Sequence, residues 1–446
     1  MARQGNRILI VGGGCFGLST ALALSGDPSL HITVFDRAQI PSRDAASNDT
    51  TKLVRMDYGN DVLYQDLTIE ALPIWRKWNS EARRRYGQDV FTESGILFLS
   101  RDHLGEYEKR SMANLSQVLP EALKTLSHQD VQREYPQFHR HWNIGYLNKQ
   151  DGWCFAELAI RLVADICLER KVKFIVGKAG EFKSFVWRNG RVCGIMTQDG
   201  GQYYGDKIIM AIGSWTGSLL PGMNNIITAT GHPVMHFKIP EQLRGRYLSD
   251  VFPAWEADTP NTGFYGFPSK PDGDLKIAIH SPGYINTIST NSNGVVSVPR
   301  TIVDHPNDTI PHEILTKTRA FLRNCLPEIA DLEITKAKLC WYCDTFDGNF
   351  IADYHPSLPG VFVLAGDSGH GMKFLPVIGE KVRGIIEKDA TLLKRYSAWS
   401  WREPQVGKAI VFDAMRSNQN GDDRKELRDS RMARSEELFR HQTARL

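Results

Sequence analysis

The chain has 446 residues, 41% hydrophobic and 24% charged, and 54 Lys and Arg stand against 51 Asp and Glu for a net charge of +3. That length suits two intertwined domains of ordinary globular composition, and the near-balanced charge gives no bulk electrostatic case for nucleic acid or an anionic membrane as partner. No apolar run reaches bilayer-spanning length, the polar Met1–Arg7 stretch lacks the parts of a signal peptide, and seven scattered cysteines favour a reducing compartment over a disulfide scaffold.

In chain order, Arg7–Val11 reads as a short buried strand, followed by a glycine-rich turn, a helix-like stretch Phe16–Leu24 and a second apolar run Ile32–Phe35. This strand–turn–helix–strand order opens a doubly wound sheet. A polar loop covers Ser42–Lys52. Leu63, Leu67, Ala71, Ile74 and Trp78 then share one helical face, and Pro73 inside that pattern predicts a kink or an early break. Residues 101–150 are polar and offer no usable periodicity; His139 and His141 in this stretch read as surface residues. Ala156–Cys167 is a predicted helix and Lys173–Val176 a strand. Phe182–Arg188 and Arg191–Met196 flank Asn189-Gly190, the strongest short hairpin signal. Ile208–Ile212 is a further strand. The Pro-, Gly- and aromatic-rich middle, 225–325, predicts a mostly antiparallel second domain. Val361–Ala365, Gly366–Gly371 and Leu375–Glu387 repeat the strand–turn–helix order, and 419–446 reads as a solvated tail or surface helix.

Gly12, Gly14 and Gly17 spell G-x-G-x-x-G between the first strand and helix, with Asp36 at the end of the second strand. The first glycine permits the tight turn, the second lets the backbone approach a pyrophosphate, the third lets helix and strand pack, and the acid accepts from ribose hydroxyls. The helix N-terminus faces the phosphates. This pattern by itself does not separate FAD from NAD.

Three further segments narrow the choice: NDTTKLVRMDYG (48–59), FYGFPSKPDGDLKIAIH (264–280), and the pair KLCWYCDTFDGNFIADYHP (338–356) with LAGDSGHGMKFLPVIG (364–379). Together with the glycine fingerprint they resemble the monomeric sarcosine oxidase family of FAD-dependent amine oxidases, which includes the pipecolate and saccharopine oxidases and the fructosyl amino acid oxidases (amadoriases). The resemblance implies an α/β fold with a discontinuous Rossmann-like FAD-binding domain (1–85, 150–224 and 326–400), an antiparallel-sheet substrate domain (86–149 and 225–325) and a charged tail (401–446). It implies FAD held covalently through Cys340. The residue readings beside it are a small buried hydrophobe or a redox or metal pair with Cys343, the latter without a second pair to complete a zinc site. Lys276 matches the family lysine that activates oxygen. Leu275, Ile277 and Ile279 alternate against Lys276, Ala278 and His280, so strand periodicity places Lys276 and His280 on one face, either a pocket wall or a solvent face. Arg55 and Lys373 match the residues that hold a substrate carboxylate, and Tyr342 and Tyr265 match pocket tyrosines. Asn48, Lys52, Ala179, Asp367, Gly371 and Met372 fall on flavin contacts; His370 reads as structural. Asn48, Asp49 and Lys52 follow the amadoriase pattern, whereas Arg55 follows the sarcosine and saccharopine pattern.

The implied activity is oxidation of a secondary-amine amino acid (saccharopine, pipecolate, N-methyl or fructosyl amino acid) by hydride transfer to the flavin, with O2 reduced to H2O2 and no metal needed. The alternatives are a tailoring oxidase of a fungal secondary-metabolite pathway and a flavin dehydrogenase that uses a carrier in place of O2. The expected state is a monomer with no membrane partner. Ala444-Arg445-Leu446 is similar to a peroxisomal address read by the import receptor, which predicts a peroxisomal, otherwise cytoplasmic, location.

Overall fold

The computed structural model describes residues 6–139, 142–223, 226–290, 294–403 and 424–439. Two sheets organise them. The first has six strands in the order Ile351–Tyr354, Val361–Ala365, Lys207–Met210, Arg7–Val11, His31–Asp36 and Lys173–Val176. All its pairings are parallel except that of Ile351–Tyr354 with Val361–Ala365. Near-continuous apolar runs such as Ile8-Leu9-Ile10-Val11 suit a sheet covered on both faces. The helices Cys15–Leu24, Ala156–Glu169 and Ile378–Ile386 contribute to the core against this sheet, together with Val62–Tyr86. The hairpin predicted at Asn189-Gly190 is present, with φ of 51° and 72° at those two residues, and joins strands Phe182–Arg188 and Arg191–Thr197.

The second sheet has ten strands and is largely antiparallel. Its long central pair, Ile227–Lys238 and Ile334–Thr345, runs antiparallel, and Asp274–Ile279, Phe264–Gly266, Ala254–Ala257, Ile96–Ser100, Ile144–Asn148 and Leu123–Ser127 follow outward. Paired residues share a face of a sheet. The register Glu256–Tyr265–Ala278–Val234, with Thr230 opposite Tyr342, His232 opposite Cys340 and His236 opposite Lys276, therefore puts Cys340, Tyr342, Lys276, Tyr265 and Glu256 on one face. Leu275, Ile277, Ile279, Trp255, Met235 and Phe237 project from the other face into a separate apolar core.

Four local expectations are corrected. The helix does not break at Pro73 but runs from Val62 to Tyr86. Leu67, Ala71, Leu72, Trp75 and Trp78 are buried along it, and that burial outweighs the roughly 3 kcal/mol an interior proline costs. Residues 101–150 are not irregular: they form Glu106–Val118, Leu123–Ser127, His128–Glu134 and Ile144–Asn148. The helix expected over Leu375–Glu387 starts at Ile378, after a 3₁₀ turn at Met372–Phe374, because Pro376 interrupts the run of backbone donors. Within the C-terminal stretch, residues 424–439 are docked rather than solvated. Lys425–Glu426 adds to the edge strand Tyr284–Ile285, and Leu427, Ala433 and Leu438 are buried among the charges. Of the two histidines read as surface residues, His139 is exposed and His141 lies outside the described residues. No helix among the described residues is long and apolar enough to cross a membrane.

Gly17 and Gly379 show how tightly the first helix is packed, against the glycine turn at one end and against the helix Ile378–Ile386 along its length. A Cβ on Gly17 would lie 1.9 Å from the Gly12 carbonyl oxygen, and one on Gly379 would lie 2.0 Å from that of Ser19. We expect Gly379→Ala to lower the free energy of guanidinium unfolding by about 1–3 kcal/mol, the usual cost of overpacking. Gly245→Ala is the control, since that glycine has a helical φ of −60° and no atom within 4 Å of its would-be Cβ; it should change stability by less than about 0.5 kcal/mol. Equal effects of the two would contradict the packing described.

Candidate active site

Two adjoining cavities lie between the sheets. The larger is a cleft lined by Gly12, Gly14, Asp36, Arg37, Ser47, Lys52, Gly180, Gln198, Asp367, Gly371 and Met372, among others. The glycine turn forms its floor. Gly12 has φ +106°, and the only neighbour of a Cβ built on Gly14 is Ser47 Oγ at 3.4 Å, so this backbone stands open to the cleft as close approach of a phosphate requires. The Gly13 and Ala38 amides donate to the Asp36 carboxylate at 2.8 and 2.9 Å. Burial pushes the Asp36 carboxyl up against those two bonds. Arg37 stacks over Trp215, 4.5 Å from the ring centroid. The open glycine turn, the ribose-type acid and the polar rim fit a dinucleotide such as FAD. Of the other predicted flavin residues, Gly17, Asn48, Ala179 and Cys340 do not line the cleft, although Gly180, Trp341 and Tyr342 beside them do, and Lys373 lines the smaller cavity. Asn48 instead donates through Nδ2 to the Pro41 carbonyl at 3.4 Å.

The smaller cavity shares Lys52, Tyr342, Gly369 and Met372 with the cleft and adds Arg55, Glu256, Thr259, Tyr265, His280, His370 and Lys373. Arg55 and Lys373 come from distant parts of the chain and meet on one ring. The Arg55 guanidinium carbon lies 4.9 Å and Lys373 Nζ 5.1 Å from the Tyr58 ring centroid. Lys373 Nζ also donates to Tyr58 Oη at 2.9 Å, and Tyr58 bonds His370 Nδ1 at 3.0 Å. Arg55 donates to the Asp57 carbonyl and to Tyr107 Oη, and its Nε is 3.5 Å from Glu256 Oε1. The tyrosines close the wall beside Cys340: His232 stacks on Tyr342 with ring centroids 3.9 Å apart.

Beneath both cavities lies a buried triad. Asp49 Oδ2 is 2.7 Å from Lys276 Nζ and 3.0 Å from Lys52 Nζ. Lys52 Nζ also donates to the Cys340 sulfur at 3.5 Å, and Lys276 Nζ to the Thr51 carbonyl at 2.5 Å. Burial pulls Lys276 down to about 8 even though Asp49 holds it up; Lys52 beside it pulls further down. Burial works against Lys52 as well, but Cys340 and Asp49 hold it well above the usual lysine value. Asp49 stays well below the usual carboxylate range because Lys276, Lys52 and Lys338 outweigh its burial. Lys276 lines neither cavity, whereas Lys52 lines both. Glu256, Tyr58 and Tyr107 were not singled out from the sequence. A charged residue in the otherwise apolar strand Ala254-Trp255-Glu256-Ala257 was the available signal for the first.

A family model described as FAD dependent oxidoreductase matches residues 7–383. The chain belongs to that family. Among its relatives, L-saccharopine oxidase of Schizosaccharomyces pombe is 30% identical over 433 residues, covering 92% of this chain and 96% of that protein. Monomeric sarcosine oxidase of a Bacillus species is 26% identical, covering 84% and 90%. Among solved structures, the fructosyl peptide oxidase of E. terrenum superposes with a TM-score of 0.83 at 26% identity over 99% of both chains. The oxidoreductase fold and the FAD dependence inferred from the sequence are thereby shown.

The triad generates a stability prediction. Asp49→Asn leaves two buried ammoniums without their carboxylate and should cost about 3–5 kcal/mol of unfolding free energy near neutral pH. The folded-state Lys276 value lies below its unfolded one, so the unfolded chain binds the extra proton above pH 8 and stability gains from this group as pH rises through that window. In the variant, with Asp49 gone, the same deprotonation comes earlier, so its deficit should shrink toward alkaline pH. A deficit below about 1 kcal/mol, as for an exposed pair, would contradict the geometry.

Proposed function

We propose that this protein oxidises an amino acid at its secondary amine, giving an imine that hydrolyses and reducing O2 to H2O2. One observation carries the reading: two cations from opposite ends of the chain, Arg55 and Lys373, converge on Tyr58 in a cavity that opens onto the nucleotide cleft. A guanidinium fork and an ammonium point charge are matched to a carboxylate. The relatives support the choice of amine, since saccharopine, sarcosine and fructosyl peptides all carry a secondary amine near a carboxylate.

FAD, when bound, supplies the acceptor for the two electrons that leave the α-carbon as a hydride. Arg55 and Lys373 hold the substrate carboxylate and so fix which way the α-carbon faces. Tyr265, Tyr342 and His280 form the wall against the amine. Lys276 and Lys52, tied to Asp49, supply fixed positive charge where O2 passes through superoxide on its way to peroxide. Asp367, Gly371 and Met372 line the cleft and would hold the cofactor there, with the Gly371 and Met372 backbone beside it. Cys340 lies on the same sheet face as Tyr342 and takes a hydrogen bond from Lys52; this supports a thioether to the flavin as its role. The Ala444–Leu446 tail, outside the described residues, is proposed as a peroxisomal signal that would place a peroxide producer beside catalase.

Peroxide release from purified protein against saccharopine, pipecolate, N-methyl and fructosyl amino acids tests the activity; no release with any of them would refute it. Flavin is expected to stay with the wild-type polypeptide through acid precipitation and to be extractable or absent in Cys340→Ala, whereas complete extraction from the wild type would remove the covalent link. Lys276→Met is expected to slow reoxidation by O2 by roughly 10²–10³ and reduction by substrate much less. Stopped-flow traces with unchanged reoxidation would release Lys276 from that role.

A further inference from the structure

Among the described residues, one acid lines the substrate cavity. Glu256 is 5% exposed, lines the cavity, and stands on the strand Ala254–Ala257 opposite Tyr265. Its Oε1 lies 3.5 Å from Arg55 Nε, and its Oε2 accepts from Thr259 Oγ1 at 3.3 Å. It is thus a resident anion on the guanidinium that the proposed function assigns to the substrate's carboxylate.

Resting on that reading, we propose that Glu256 is a specificity-determining residue that makes the cavity accept one substrate carboxylate and reject a second. The charge count is direct. Arg55 and Lys373 contribute two positive charges at the carboxylate subsite and Glu256 removes one, so a single carboxylate brings the subsite to neutrality. A donor with an acidic side chain, saccharopine among the candidates named above, would add an unbalanced buried negative charge beside Glu256, which is costly in a desolvated cavity and would make it a poor donor. The deeper shell adds to the effect, because Asp57 is fully buried and Glu108 nearly so. Asp57 already takes bonds from Tyr146 Oη at 2.7 Å and Asn148 Nδ2 at 2.9 Å. A neutral or hydrogen-bond-donating side chain meets no such penalty, and Glu256 and Thr259 offer it acceptors. Lys52 stands outside this count because its ammonium is held by Asp49 at 3.0 Å and the Cys340 sulfur at 3.5 Å rather than at Arg55; His280, His370, Tyr265 and Tyr342 are the other titratable groups on the cavity wall.

The charge on Glu256 can also be removed without mutation. Burial raises its carboxyl to about 7; Arg55 pulls it down, while Asp57 and Glu108 push it up. The cavity should therefore discriminate strongly above neutrality and weakly below it.

The test uses the flavin-loaded enzyme and two probes that differ by one carboxylate, propionate and succinate, titrated with flavin absorption and tryptophan fluorescence as readouts. In the wild type at about pH 8.5, where Glu256 is ionised, propionate is expected to bind at least about tenfold more tightly than succinate. Glu256→Gln, which preserves shape and the acceptor for Thr259, should close that ratio by about tenfold. Lowering the pH to about 6.5 should narrow it in the wild type and leave it unchanged in the variant. A ratio that is the same in both proteins, or succinate binding as tightly as propionate to the wild type, would overturn the inference. If the ratio shifts as expected but no amine reduces the flavin, the oxidase reading fails and the role of Glu256 stands. If amines reduce the flavin and the ratio does not shift, the reverse holds.

Discussion

The site depends on one buried carboxylate. Asp49 receives Lys276 and Lys52 within 3.0 Å, and its side chain and that of Lys276 are each 2% exposed. Desolvating three charges in so small a volume is unfavourable unless each is paired and hydrogen-bonded. The pairing is asymmetric. Lys276 is pulled down to about 8, while Lys52 is held high by Cys340 and Asp49 against its own burial. With both lysines protonated, the triad leaves one net positive charge under the junction of the two cavities. That charge is available to an anion that develops during turnover. It also keeps Lys52 fixed beside Cys340 and Tyr342 rather than free to bind the substrate carboxylate, which leaves that task to Arg55 and Lys373.

The second sheet is the template that brings these groups together. Its alternation puts apolar residues into a core on one face and the chemistry on the other, so residues as far apart as Glu256, Lys276, Cys340 and Tyr342 share a surface by register alone. The six-stranded sheet provides the complementary wall through its glycine turns. Arg55 and Lys373 enter from outside both sheets, and the Tyr58 ring between them acts as a common cation-binding platform.

The parts legible from sequence were those with local causes. The first glycine turn, the Asn189-Gly190 hairpin, the strand Lys173–Val176 and the alternation of Leu275, Ile277 and Ile279 against Lys276 each follow from neighbours within a few residues. The motif segments added the flavin fold, which the family match shows. What stayed hidden depends on distant contacts. The Val62–Tyr86 helix survives its proline because Trp75 and Trp78 are buried, and Trp75 Nε1 donates to the Lys373 carbonyl 298 positions away, at 2.8 Å. Residues 424–439 are highly charged, yet Ala433 donates to the Ile310 carbonyl and Leu427 and Leu438 fill gaps that only the folded sheet creates. Glu256 looked like one acid among 51 Asp and Glu until the register set it opposite Tyr265.

Anaerobic mixing of the yellow enzyme with matched pairs of secondary-amine amino acids and their carboxamides tests the central claim most directly, because it isolates the carboxylate subsite and the reductive step from any reaction with oxygen. The flavin band should bleach with the acids and respond far more weakly to the amides, by the roughly 2–5 kcal/mol that a lost buried charge pair costs. Equal bleaching by acid and amide would contradict the account of Arg55 and Lys373. Absence of bleaching with every amine, in protein that carries its flavin, would contradict the assignment as an amine oxidase.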